Sequence, residues 1–297
     1  MTVSPEPLAL ASPAALSTAL EATGYLADEG IATALYCAAR LAQPLLLEGE
    51  AGVGKTEAAK ALAVALDTPL IRLQCYEGID AAEALYEWNY PRQLLAIKVA
   101  ESAHRPVGEA DLFTRDYLVG RPLLRAVEHP GPRPAVLLVD EVDRADDEFE
   151  AFLLELLGEA SVTVPELGTI RAARPPIVVL TSNRTRDLHD ALKRRCLYHW
   201  IDHPDLARAT AIIRRRVPEA TGPLVVQVAA AVGRLRQLEL QKLPGVAEAI
   251  SWVRVLEALG LPALEAAAVE TTIGAVVKYR EDLEVVAERG SAWVAGG

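Results

Sequence analysis

Cysteine is scarce: Cys37, Cys75 and Cys196 are the only three in 297 residues, odd in number and without C-x-x-C spacing. Such a set implies no disulfide framework and no metal cage, and fits small buried hydrophobes in a reducing compartment. The five histidines are isolated and offer no ligand cluster. Basic charge is also in deficit, with 30 Lys and Arg against 41 Asp and Glu and a formal net charge of −11. Binding to a nucleic-acid backbone usually needs a basic face, so this balance argues against a non-specific DNA motor and leaves room only for a local basic patch. The first basic residue is Arg40, which removes the charged start of a secretory signal. No uninterrupted apolar run approaches the roughly 18 residues of a membrane span. These absences predict a cytoplasmic protein with no membrane span. What is present is a hydrophobic content of 51%, enough for a well-filled core. The chain is long enough for one large domain and a small one.

The most informative stretch, residues 45–60, reads LLLEGEAGVGKTEAAK. Gly49, Gly54, Lys55 and Thr56 satisfy the spacing G-x-x-x-x-G-K-[ST], with Glu50, Ala51, Gly52 and Val53 between and Glu57 just after. An apolar run precedes the pattern and an alanine-rich helical run follows it. That strand–loop–helix setting is what separates a phosphate-binding loop from a glycine-rich turn that binds nothing. Glycines let the backbone turn its N–H groups inward around a triphosphate, and the start of the helix adds favourable partial charge. Lys55 is then expected to reach the β/γ-phosphates and the Thr56 hydroxyl to ligate Mg²⁺. The stretch predicts nucleotide binding by residues Gly49 through Glu57.

Two later strands end in polar side chains. Residues 135–141 read AVLLVDE, the continuous apolar run of a parallel strand covered on both faces, closing on Asp140 and Glu141. Ligands sit at the carboxyl ends of such strands. Asp140 is therefore expected to hold the Mg²⁺ site through water, and Glu141 to polarise an attacking water. Residues 177–183, IVVLTSN, form another apolar strand. Its Asn183 either holds the catalytic water or senses the γ-phosphate, or else serves as a helix N-cap or Asx-turn. Arg194 and Arg195 close a short helix, where the macrodipole alone accounts for basic residues.

The remaining chain supplies the frame. Residues 1–16, rich in Pro, Ala and Ser, are expected to be a loose lead-in, followed by helices over 17–21 and 28–41. Strands are expected over 70–75 and 197–201, and a small hairpin over 162–171. Residues 76–99 have a helical composition but carry Tyr86, Trp88 and Tyr90 in a chain with 5% aromatics. That cluster is either a recognition surface or a helix end packing its rings. Beyond Pro204 the pattern is all-helical, with helices over 208–216, 224–238, 246–259 and 264–277. The partition is an αβ nucleotide-binding domain over 1–204 and a helical lid over 205–297.

In this order, the loop, the acidic pair, the strand ending in Asn183 and the helical C-terminal part resemble an AAA+ ATPase, a P-loop NTPase with a parallel-sheet αβα core and a smaller all-helical lid. The segments GEAGVGKTEAAKALA, LLVDEVDRADDEFEAFLLELL and LTSNRTRDLHDALKRRCLYHWIDHP are similar to the MoxR-type branch. RLQCYEGIDAAEALYEWNYPRQLL with GRPLLRAVE most resembles its CoxD-like subgroup, associated with maturation of carbon monoxide dehydrogenase. The resemblance implies that Gly49 to Thr56 are the Walker A loop, Asp140 and Glu141 the Walker B pair, and Asn183 the first sensor. It implies an arginine finger at Arg195, with Arg194 as the alternative, acting on a neighbouring subunit in a ring, typically a hexamer. A second sensor is expected after Gly245, where Arg254 is the only basic residue and is otherwise a surface side chain. The implied cofactors are ATP and Mg²⁺. The implied partners are a protein with a von Willebrand A domain and a client metallo-enzyme, with ATP hydrolysis driving remodelling. Two other readings are a nucleotide-gated binding module with little turnover and a nucleic-acid remodeller.

Overall fold

The computed structural model describes residues 11–296. Residues 1–10 of the expected lead-in lie outside the described residues. The rest of it is not loose, because the helix Pro13–Ala22 begins there. Ser12 Oγ accepts the Ala15 N–H at 3.1 Å as its cap, and the helix buries Leu16 and Leu20 completely.

The chain forms two compact units. The first holds residues up to Ala19, Asp28–Glu48 and Ala59–His199. Its strands are β1 (Leu45–Glu48), β2 (Leu70–Gln74), β3 (Tyr86–Trp88), β4 (Leu118–Gly120), β5 (Val136–Asp140), β6 (Ser161–Val164), β7 (Gly168–Arg171), β8 (Ile177–Ser182) and β9 (Leu197–Trp200). Five of them make the main sheet in the order β2-β5-β8-β1-β9, with β2–β5, β5–β8 and β8–β1 parallel. Every residue of β1, β5 and β8 is buried, which is the burial a parallel strand flanked by helices on both faces requires. Edge strand β2 alternates instead, keeping Arg72 and Gln74 outward. Leu137, Val139 and Leu180 of the sheet share a core with Phe149, Leu153 and Leu156 of the helix Asp147–Glu159. That helix is capped by Asp146, whose Oδ1 accepts the Phe149 N–H at 2.9 Å.

The segment after β2 departs from its helical expectation. A short helix, Ala81–Leu85, gives way to β3, which pairs antiparallel with β4, and only then does the helix Tyr90–Ser102 start. Asn89 caps that helix by accepting the Arg92 N–H at 3.1 Å, with Pro91 in its first turn. The aromatics thus favour a strand that the cap separates from the next helix. Trp88 is buried edge-on to Phe113, centroids 5.0 Å apart, and to Tyr86 at 5.9 Å. Tyr86 and Trp88 therefore pack their rings on a strand, not at a helix end, and Tyr90 is exposed. The hairpin pairs β6 with β7 as anticipated.

The second unit holds Leu20–Ala27, Gly49–Ala58 and the chain from Trp200 onward. Its helices Leu206–Arg216, Gly222–Leu235, Val246–Ala258, Ala266–Thr272 and Arg280–Arg289 enclose their own core. Trp252 is fully buried at its centre, and its Nε1 donates to Thr272 Oγ1 at 2.7 Å. The helix expected to run to residue 277 stops at Thr272 in a 3₁₀ turn, Ile273–Ala275. The two last helices, Arg280–Arg289 and Ser291–Ala295, carry no signal strong enough to anticipate. Among the described residues no helix is long and apolar enough to cross a membrane.

Candidate functional site

In the sheet unit the polar side chains gather at the carboxyl ends of β5 and β8. Asp140 is 1% exposed. Its Oδ1 accepts the Thr181 hydroxyl at 2.6 Å, and its Oδ2 accepts Arg72 Nε at 3.0 Å and Nη2 at 2.6 Å. Thr181 in turn accepts the Glu141 N–H at 2.9 Å, so one hydroxyl ties both members of the acidic pair. Glu141 has left-handed backbone, φ 55° and ψ 49°, an uncommon state for a non-glycine residue, and it ends the strand there. Its carboxylate pairs with Arg144 at 3.1 Å. Asn183, half-buried, follows β8 and donates its backbone N–H to Asp143 Oδ2 at 3.2 Å. Asn183 is thus neither inside nor at the start of a helix.

Two further features frame this end of the sheet. Glu48, nearly buried at the end of β1, accepts the Tyr198 hydroxyl at 3.1 Å and lies 3.9 Å from Arg184 Nε. Partial burial and the Glu48 carboxylate push the Tyr198 hydroxyl up from its usual value. Cys75 is fully buried just after β2. Burial, with the nearby Asp140, Asp143 and Glu141 carboxylates, pushes its thiol up to about 12. That suits a core hydrophobe and not a nucleophile.

In the helical unit the glycine-rich loop folds back on itself. Lys55, 6% exposed, donates Nζ to the Gly49 carbonyl at 2.6 Å and the Glu50 carbonyl at 2.8 Å. Gly52 has φ +81°, and a Cβ there would meet Glu248 Oε2 at 2.9 Å and the Gly245 Cα at 3.4 Å, so glycine is required twice over. Glu248 starts the helix Val246–Ala258 by accepting the Gly245 N–H at 2.9 Å. Ala51, Val53, Gly54 and Thr56 are half-buried along the loop and Glu50 is exposed. Glu57 pairs with Arg216 at 2.7 Å. Arg254 is exposed and donates to the Arg216 carbonyl at 3.4 Å. His203 lies among these groups with both ring nitrogens buried and without hydrogen-bond partners. Burial, helped by Arg236, lowers its pKa to about 4 against the opposing pull of Asp202 and Glu248.

Arg194 and Arg195 are exposed at the end of the helix Asp190–Lys193. Arg194 reaches Asp190 at 3.8 Å, and Arg195 donates to the Ala191 carbonyl at 3.3 Å. Both are long cations on the surface. Arg72, Thr181 and Asp143 were missed by the sequence reading. Their one signal is a polar residue in or beside an apolar strand, and only strand register shows what it faces.

Thr56 and Asp140, each within its own unit, carry hard oxygen atoms of the kind Mg²⁺ takes, and Mg²⁺ commonly binds one or two protein oxygens with waters and substrate phosphates. Among the described residues no group of three His, Cys, Asp or Glu is placed to hold a metal ion.

A five-stranded parallel sheet flanked by helices, a glycine-rich loop between β1 and a helix, and an acidic pair ending β5 define the P-loop NTPase fold of AAA+ type. The family model "AAA domain (dynein-related subfamily)" matches residues 44–196, more than half of the chain, and the protein belongs to that family. Among solved structures the chain is similar to the Thermotoga maritima RuvB Holliday junction branch migration motor, at 15% identity over 83% of this chain and 68% of that one, with a TM-score of 0.47. A mutant of the same RuvB is 16% identical over 82% of this chain and 67% of its own, also at 0.47. No curated protein matches the chain.

Proposed function

We propose that the protein is a Mg²⁺-dependent ATP hydrolase that works in a ring of its own copies and uses turnover to remodel a client protein. The observation that carries this reading is the buried Asp140 with Glu141 locked beside it through Thr181, at the end of β5, in an AAA-family chain with a complete Walker A loop. Gly49 to Glu57 bind the phosphates, with Lys55 supplying positive charge to the β/γ-phosphates. Thr56 and Asp140 hold Mg²⁺, which when bound neutralises charge on the phosphate oxygens. Glu141 orients water toward the γ-phosphate and Asn183 senses that group. Arg195, or Arg194 in its place, completes a neighbour's site, which makes activity depend on assembly. Arg254 is assigned as second sensor by its place after Gly245 alone.

The domain partition we propose for this cycle is 1–204 for the nucleotide-binding domain and 205–297 for the lid. The motif resemblance supports a MoxR-type chaperone of the CoxD-like kind, acting in the cytoplasm with a von Willebrand A domain partner on a metallo-enzyme such as a molybdenum hydroxylase. The acidic net charge of −11 supports a protein client over a nucleic acid.

The test is ATP hydrolysis per subunit as a function of protein concentration, for wild type, Glu141→Gln and Arg195→Ala. Specific activity is expected to rise with concentration, and both variants to lose it. Turnover that is flat with concentration and indifferent to Arg195 would remove the shared site. ATP binding without turnover at any concentration, with candidate partner added, would leave a nucleotide-gated binding module.

A further inference from the structure

Asp143 stands three residues beyond Asp140, in the short 3₁₀ turn Val142–Arg144, and is 2% exposed. Its Oδ2 accepts three hydrogen bonds from the chain that leaves β8: the Asn183 N–H at 3.2 Å, the Thr185 N–H at 2.8 Å and the Thr185 hydroxyl at 2.8 Å. The Thr185 hydroxyl also lies 3.3 Å from the Asp143 carbonyl. The other carboxylate oxygen, Oδ1, is buried with no hydrogen-bond partner. All the binding is thus done by one oxygen, and it is directed at the backbone of one segment.

The turn that holds Asp143 also holds Glu141. The Arg144 N–H donates to the Glu141 carbonyl at 3.0 Å and the Arg144 side chain pairs with the Glu141 carboxylate. Thr181 fixes the Glu141 N–H from β8. Two separate ties therefore run between the end of β5 and the end of β8. One, through Thr181, lies within the strands. The other, through Asp143, grips the segment after Ser182 where Asn183 and the left-handed Arg184 change the chain direction.

We propose that Asp143 is a positioning residue: its Oδ2 holds the Asn183 backbone in register with Glu141, so that the sensor side chain and the water-orienting carboxylate keep one relative geometry. The proposal rests on the hydrolase reading above and deepens it. Displacement of a reacting group by about 1 Å costs on the order of 10²-fold in rate, so a clamp acting on Asn183 should show in kcat and not in nucleotide affinity.

The experiment measures kcat, KM and ATP-analogue affinity for Asp143→Ala, Asp143→Asn and Thr185→Val, alone and in an Asn183→Ala background, with urea midpoints and amide exchange at Asn183 and Thr185. Asp143→Ala is expected to lower kcat by about 10²-fold with affinity within a few-fold, and to speed exchange at both amides. Asp143→Asn should restore most of kcat, because a single carbonyl oxygen can replace Oδ2. Thr185→Val keeps the carboxylate and removes one donor, so it should give an intermediate loss even if Asp143→Ala fails to fold. In the Asn183→Ala background the Asp143 substitutions should change kcat little further, the mark of two residues acting as one unit. Full additivity, or an Asp143→Asn loss as deep as that of alanine, would overturn the clamp while leaving the hydrolase reading intact. A wild type that never hydrolyses ATP, alone or with a partner, would overturn the hydrolase reading and the clamp's role with it.

Discussion

The two units treat buried polar groups differently. At the strand ends of the sheet unit, carboxylates are held by several donors: Asp140 by Thr181 and Arg72, Asp143 by Asn183 and Thr185. Around the glycine-rich loop of the helical unit the groups are held more singly: Lys55 donates to two loop carbonyls, Glu57 pairs with Arg216, and Glu248 accepts the Gly245 N–H. The difference suits the two proposed tasks. A group that must orient water profits from rigid, multiply bonded carboxylates, since preorganisation removes the cost of reordering during reaction. A loop that must take up a phosphate needs groups whose present partners can be exchanged for the ligand's oxygens.

That contrast can be broken most forcefully at Glu141. Glu141→Gln keeps the shape but removes the charge, and turnover should fall roughly 10²–10⁴-fold with nucleotide affinity largely kept. A matching loss of affinity would mean that the sheet-unit carboxylates bind nucleotide instead of orienting water. The next largest effect concerns the separate cores. Trp252→Ala should cost about 3–5 kcal/mol by emptying a fully buried site in the helical unit. Calorimetry should show the loss in the transition of that unit, with the transition that follows Leu137→Ala, in the sheet, moved less. Equal shifts of one transition by both variants would mean that the cores melt together.

Glycine substitutions sharpen the comparison on a smaller scale. Gly52 and Gly168 have similar φ, +81° and +79°, but nothing lies within 4 Å of a Cβ at Gly168. Gly168→Ala should cost about 1–2 kcal/mol, the left-handed penalty alone. Gly52→Ala should cost more, because Glu248 and Gly245 must move, and should also weaken ATP binding. Equal urea midpoints for the two would show that the loop yields freely.

Near neutral pH the smallest expected effect is at His203. Its folded pKa of about 4 lies below the ordinary 6.5, so between those values the unfolded chain binds more protons. Stability is therefore expected to fall as pH drops from about 6.5 toward 4 and to level out below. Above pH 6.5 His203 adds no pH dependence. His203→Gln should flatten this slope in pH-dependent urea titrations, and an unchanged slope would show that the imidazole is already solvated.

Much of this was legible without coordinates. The strands at Leu45–Glu48, Val136–Asp140 and Ile177–Ser182 are short apolar runs with a polar end, and each falls within a residue or two of its expected place. The glycine-rich pattern is local, so its loop could be read from spacing alone. The strand Tyr86–Trp88 could not, because its partner Leu118–Gly120 lies about thirty residues on and three residues carry too little pattern to tell strand from helix. The C-terminal helices were legible while their apolar stripe was wide. Arg280–Arg289 is polar over most of its length and is held by Asp282, whose carboxylate accepts the Gln241 and Lys242 N–H groups.

By itself, then, the sequence determined which segments fold locally and which chemical groups they carry: the glycine-rich loop, the acidic pair, the amide after the strand and the helical C-terminal part. These depend on near-neighbour spacing, on periodic burial and on backbone preference. Only the tertiary structure decided what faces what. Parallel pairing brings Thr181 to both Asp140 and Glu141, places Arg72 on the far side of that carboxylate, and lets Asp143 reach Asn183 and Thr185 some forty residues away. Such contacts follow from strand order and register, which no local pattern encodes.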